Sequence, residues 1–246
     1  MCVICRSENL VHQAQASRRG LLQFFGAAAV GLALGGTASA KEVKSPPKPQ
    51  NVVSPDASLE LLMKGNKRYV GGDSRRHDFK REREALVGGQ NPYAGILSCA
   101  DSRIAPEYAF DSGRGDLFVC RVAGNFANGD TIASMEYAVA ILGTPLIMVL
   151  GHDACGAVDA TIKSLKDGVT LPGHLPSLVT SLTPAVKAAS RRPGDPLGNA
   201  IRQNVIDNVA ALKAATPILS TAVEQRKLKV VGGIYRLRDG RVEMIA

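Results

Sequence analysis

Four short apolar runs, at residues 93–97, 117–122, 145–150 and 228–237, punctuate the chain, with segments of helical period between them. The run PLIMVL at 145–150 is apolar at every position, which predicts a strand buried on both faces. Helical patterning covers 131–142, begins again near Ala154, and continues in two stretches between 175 and 215. Strands alternating with helices in this order predict an α/β fold. Its core is a mostly parallel sheet of four strands, flanked by helices on both faces. Residues 242–245 return after Asp239-Gly240 and predict an antiparallel edge strand.

Upstream of the sheet, Ser54-Pro55-Asp56 reads as a helix start, with Ser54 as N-cap and Pro55 at the first helical position. The stripe that follows, Leu59, Leu62, Met63 and Tyr69, is interrupted by Gly65, which predicts a break. A second, charged helix is expected over 79–87. Residues 41–55 hold four prolines and little hydrophobic pattern, so 41–53 reads as a linker and 54–246 as one domain.

The first forty residues have a different character. Paired Arg18 and Arg19 precede an apolar, Ala- and Gly-rich stretch that ends in Ala38-Ser39-Ala40. That is the layout of an export signal, and the arginine pair resembles a twin-arginine (Tat) signal. The 16 residues from Leu21 to Gly36 fall short of the roughly 20 that span a bilayer, so cleavage near Ala40 is expected rather than a stable membrane anchor. A periplasmic or otherwise exported protein follows, handed to the Tat machinery before maturation. Cleavage lowers the formal charge from +8 to +6 and removes Cys2 and Cys5, whose C-x-x-C spacing is weak evidence on its own. The remaining cysteines, Cys99, Cys120 and Cys155, are odd in number and fit no disulfide framework. Tat substrates cross the membrane folded, so the thiols could be committed to a metal before meeting oxidant.

The positive charge is scattered and interleaved with acid, as in Lys80-Arg81-Glu82-Arg83, without zinc-finger spacing or an aromatic stacking series. It reads as solvated surface, and nucleic-acid binding is not expected.

The chemistry sits at strand ends, where open α/β sheets place their sites. GILSCADSR closes the first run with Cys99, Asp101 and Arg103 in five residues, and GHDACG follows the third with His152 and Cys155. Cys155 would stand at a helix N-terminus, which favours thiolate. Two thiolates and an imidazole are good zinc ligands and leave a fourth position open, the pattern of a catalytic site. A Cys–His nucleophilic pair is the alternative, but it leaves one cysteine and Arg103 without work. Cys120, inside an apolar run, reads as a small buried hydrophobe.

The pairing of CADSR with GHDACGAV resembles the β-class carbonic anhydrases. So do SPDASLELLMKGNKRYV, GDLFVCRVAGN, SMEYAV and VVGGIYRLRDGRVEMI, which extend the likeness over about 54–246. The resemblance implies zinc on Cys99, His152 and Cys155, with water or hydroxide as fourth ligand attacking carbon dioxide to give bicarbonate. It implies that Asp101, held ionised by Arg103, orients that hydroxide. In part of the family the aspartate swings onto zinc, in a form associated with a Trp three residues before the first ligand. Ile96 stands there in this chain, which has no Trp, so a constitutively open site is expected. Gln90, Phe118 and Tyr137 resemble substrate-pocket residues of the plant-like subgroup, supplied partly across a dimer interface. A homodimer or larger homo-oligomer is implied, with N-terminal helices packed on the partner through Leu59, Leu62 and Met63. The rival readings are hydrolysis of carbon disulfide or carbonyl sulfide at the same zinc, a noncatalytic zinc or bicarbonate-binding module, and a thiol redox protein.

Overall fold

A computed structural model describes residues 52–246. The signal-like segment, Cys2, Cys5 and all but the end of the expected linker lie outside the described residues.

The first helix, α1 (Pro55–Gly71), starts as its sequence predicts: Ala57 N–H donates to Ser54 Oγ at 3.2 Å, and Gly72, at φ 77°, ends it in the left-handed region. Gly65 does not break it. An added Cβ there would stand 1.8 Å from the Phe110 carbonyl oxygen, so Gly65 is a point of close approach inside a continuous helix. The apolar stripe is only partly spent at home, since Leu59, Met63 and Tyr69 stay half-buried. Leu62 is fully buried in the chain's own core, with Leu59, Met63 and Tyr69 packed around it, so Leu62 has no surface left for a partner subunit. A short charged helix, α2 (Phe79–Leu86), follows with Asp78 as its cap.

Strands β1 (Ala94–Ser98), β2 (Leu117–Arg121), β3 (Leu146–His152) and β4 (Lys229–Tyr235) run parallel, and β5 (Val242–Met244) pairs antiparallel with β4. Their order is β2-β1-β3-β4-β5, with β3 buried at every residue in the middle. Alternation along the strands builds two cores. Leu97, Ile147 and Val149 face one side, while Ile96, Met148 and Leu150 face the other beneath α1 and α3 (Pro106–Ala109). The first side is covered by α4 (Gly129–Ala140), α5 (Gly156–Asp167), α6 (Leu175–Ala189), α7 (Pro196–Ala214) and α8 (Ile218–Glu224). Helix α7 comes so close to β3 that a Cβ on Gly151 would meet Val205 at 2.6 Å. No helix among the described residues is long and apolar enough to cross a membrane.

Candidate metal centre and dyad

Because β1 and β3 are neighbours, with Ser98 in register with Leu150, the chain leaves both strands side by side. Cys99 is the first residue after β1, and His152 is the last of β3. A tight turn through Ala154, at φ 51°, then brings Cys155 to the N-cap of α5. The side-chain atoms of Cys99, His152 and Cys155 that could hold a metal ion all lie within 4.8 Å of one another, and all three residues are buried.

The donor set has the character of an ion site. His152 Nδ1 lies 2.8 Å from the Asp153 carbonyl, which can only accept, so Nδ1 carries the proton and Nε2 presents its lone pair inward. That Nε2 is buried without a hydrogen-bond partner. A buried polar atom of this kind is costly unless something occupies the position it faces. The thiols are equally polarised. The Cys155 thiol, with the Gly124 N–H donating at 3.3 Å, draws the Cys99 thiol far below the ordinary thiol range. Cys99, together with burial, pushes the Cys155 thiol up. Burial opposes charging of His152, but the adjacent Cys99 outweighs it and raises its pKa. Two sulfurs competing for one negative charge beside an imidazole lone pair fit a soft divalent cation such as zinc.

Next to this group stands a bidentate ion pair. Arg103 Nε donates to Asp101 Oδ1 at 2.9 Å, Arg103 Nη2 to Oδ2 at 2.7 Å, and the Arg103 backbone N–H to Oδ1 at 2.9 Å. These bonds hold the Asp101 carboxyl well below the usual carboxylate range. Arg103 Nη2 also reaches the Ala154 carbonyl at 3.2 Å, tying the CADSR loop to the GHDACG turn. Asp101 Oδ2 lies 3.8 Å from His152 Nε2, so the carboxylate borders the donor set while remaining committed to Arg103.

The five residues read from the two motifs thus converge. The three pocket residues do not join them within one chain. Phe118 and Tyr137 pair with each other, ring centroids 6.2 Å apart, but Phe118 is in register with Gly95 near the start of β1. Gln90 is exposed in the loop before β1, at the far end of that strand from Cys99. Cys120 lies on the outermost strand and is half-buried rather than buried, a correction that follows from β2 having a neighbour on one side only. A cavity of about 750 Å³, bordered by Tyr69, Arg75, His77 and Arg114, includes none of the donor residues.

Sequence reasoning missed the supports. Asn204 Nδ2 donates to the Gly124 carbonyl at 2.8 Å, and Asn208 Oδ1 accepts from Ala127 N–H at 2.6 Å. Two buried asparagines of α7 therefore hold the loop whose Gly124 N–H meets Cys99. Their signal was faint: polar residues on an otherwise core-facing stripe.

Residues 94–242 match the family described as carbonic anhydrase. "Carbonic anhydrase 2" of Mycobacterium tuberculosis is 38% identical over 189 residues, covering 76% of this chain and 91% of that protein. The carbonic anhydrase of Mycolicibacterium smegmatis is 37% identical over 192 residues, covering 78% and 93%. Among solved structures, the β-carbonic anhydrase CcaA is 30% identical with a TM-score of 0.59, covering 76% of this chain and 95% of that one. One of the tetrameric β-carbonic anhydrases of Sordaria macrospora shares the fold at 23% identity and a TM-score of 0.62, covering 77% and 98%.

Proposed function

The chain belongs to the β-class carbonic anhydrase family and is a carbonic anhydrase; from that premise we propose that Cys99, His152 and Cys155 hold its zinc and that Asp101 and Arg103 are its catalytic dyad. The observation that carries the reading is the buried, unpartnered His152 Nε2 converging with two thiols beside a carboxylate already neutralised by arginine. Zinc in this position supplies the Lewis acidity that makes water a competent nucleophile near neutral pH.

The protein's own groups do the rest. Asp101, ionised because Arg103 donates to both its oxygens, has no proton to give and can only accept. It fixes the orientation of the attacking water, turning a lone pair toward carbon dioxide. A carboxylate held this far below neutrality is a poor general base, so its contribution is aim, and the proton leaves by another acceptor. Cys99 and Cys155, once both ionised, spread two negative charges over the site and temper its acidity. The Arg103 bonds also favour an open site, because Asp101 would have to give them up to act as a ligand itself.

The open edge of β2 and the exposed Tyr137 beside Phe118 support a homo-oligomer. In such an assembly Gln90, Phe118 and Tyr137 would complete a partner's pocket, as in the plant-like subgroup. The paired arginines and the Ala38-Ser39-Ala40 ending support Tat export to the periplasm, with cleavage near Ala40.

The test is stopped-flow carbon dioxide hydration with zinc content measured on the same sample, beside Asp101→Ala. Activity near one zinc per subunit is expected, falling about 10²-fold or more in the variant with zinc retained. Zinc without hydration in the parent protein would sink the reading and turn attention to carbon disulfide or carbonyl sulfide.

A further inference from the structure

Arg121 closes β2 and is exposed, yet its guanidinium folds back onto the chain instead of extending into water. Nε donates to the Cys99 carbonyl at 3.0 Å. Nη2 donates to the carbonyls of Asp101 at 2.7 Å and Ile104 at 2.9 Å. All three acceptors belong to the one loop that carries a thiol donor and the acid of the dyad.

The backbone puts Arg121 at the base of that loop. Ser98 is its register partner on β1, and the ladder runs on through Val122 N–H to the Ser98 carbonyl at 3.1 Å. Strand alternation sets Arg121 on the same face as Leu117 and Val119, opposite Cys120. Its planar fork of donors, charged at every working pH, suits several carbonyls at once, whereas an ammonium concentrates its donors at one point. The loop is thereby clamped twice. Arg103 ties it to the GHDACG turn through the Ala154 carbonyl, and Arg121 ties it to β2.

We infer that Arg121 is a positioning residue for the hydration reaction: its grip on the Cys99, Asp101 and Ile104 carbonyls sets where the Asp101 carboxylate stands relative to the Cys99–His152–Cys155 group. The inference rests on the role proposed above for Asp101. Without Arg121 the Asp101–Arg103 pair stays intact but can shift as a unit, and a displacement of about 1 Å is enough to cost roughly 10²-fold in rate.

The experiment compares Arg121→Met, Arg121→Lys, Asp101→Ala and Arg121→Met with Asp101→Ala, all as zinc-loaded enzyme. Zinc stoichiometry, thermal unfolding, kcat and KM are measured for each. Arg121→Met is expected to keep its zinc and lose about 10²-fold in kcat per bound zinc with KM within about threefold. Arg121→Lys should fall between, down about tenfold. Once Asp101 is gone, Arg121→Met should cost no more than about threefold further, because the two act as one unit. An unchanged kcat per zinc, or a full second loss in the double variant, would overturn the inference. Should Arg121→Met fail to fold, Arg121→Lys decides, and parental kcat from it is the contrary result. Parental activity in Asp101→Ala would defeat the dyad reading itself, whereas the expected loss there with silent Arg121 variants defeats this inference alone.

Discussion

Gly65→Ala tests the packing that carries the site's scaffold. The new Cβ would stand 1.8 Å from the Phe110 carbonyl oxygen, against a floor of 3.0 Å for such contacts, so α1 must withdraw by about 1.2 Å. Asn66, the next residue, cannot follow that movement without loss. Its Nδ2 donates to the carbonyls of Ala109 and Gly240, each at 2.8 Å, and its Oδ1 accepts from Val242 N–H at 2.9 Å. Ala109 adjoins Phe110, so retreat from one carbonyl is retreat from the other. Three buried hydrogen bonds stretched toward 4 Å forfeit about 1.5–4.5 kcal/mol at the usual net worth of each. Alanine's better helix propensity returns about 1 kcal/mol, and partial exposure of Leu62 removes a similar amount. The expected destabilisation is therefore about 1.5–4.5 kcal/mol, read from urea unfolding by far-UV circular dichroism. Zinc and protomer concentration must be fixed, because binding and assembly shift the apparent stability. A variant within about 0.5 kcal/mol of the parent would refute the account of Gly65 as a contact point.

Two further outcomes follow from the site. Arg103→Lys replaces a fork that reaches both Asp101 oxygens and the Ala154 carbonyl with a single ammonium; kcat should drop about 10- to 10²-fold at parental zinc content, and equal activity per zinc in stopped-flow assays would show the fork to be dispensable. In the metal-free chain the Cys155 thiol, pushed up by Cys99 and burial, keeps its proton at neutral pH, so zinc uptake must displace at least one. Zinc affinity then weakens as pH falls, by about tenfold per unit for each proton displaced, and calorimetry in two buffers of different ionisation enthalpy reads the number directly. Uptake without proton release would contradict the assignment of thiol states.

What was legible in the sequence were features whose physics is local. Apolar runs marked β1, β3 and β4, because strands buried on both faces leave no polar alternation to confuse them, and the run LFVC marked β2 although that edge strand is only half-buried. Ser54-Pro55 marked the start of α1 because capping is decided within four residues. The convergence of Cys99, Asp101, Arg103, His152 and Cys155 was legible because the two motifs close neighbouring strands, while the dyad role expected of Asp101 and Arg103 came with the family resemblance. Gly65 was misread as a break, since its reason for being glycine is a carbonyl on another segment. The helices α3 and α8, of 4 and 7 residues, are too short to display a period. Arg121 was invisible for a different reason: its partners are backbone carbonyls, which every residue type carries. The asparagines of α7 escaped notice in the same way, and the separation of Gln90 from Cys99 along β1 appears only with the strand laid out.

Between Cys99 and His152 the chain makes α3, β2 and α4 before returning through β3. No contiguous peptide contains this donor set. It comes into being when β1 pairs with β3, after the intervening loop has surrendered its closure entropy, which places it among the later contacts to form. A cation seated there then acts as a cross-link, fastening together two segments that the unfolded chain would let drift apart. Insertion of metal must accordingly follow assembly of the sheet.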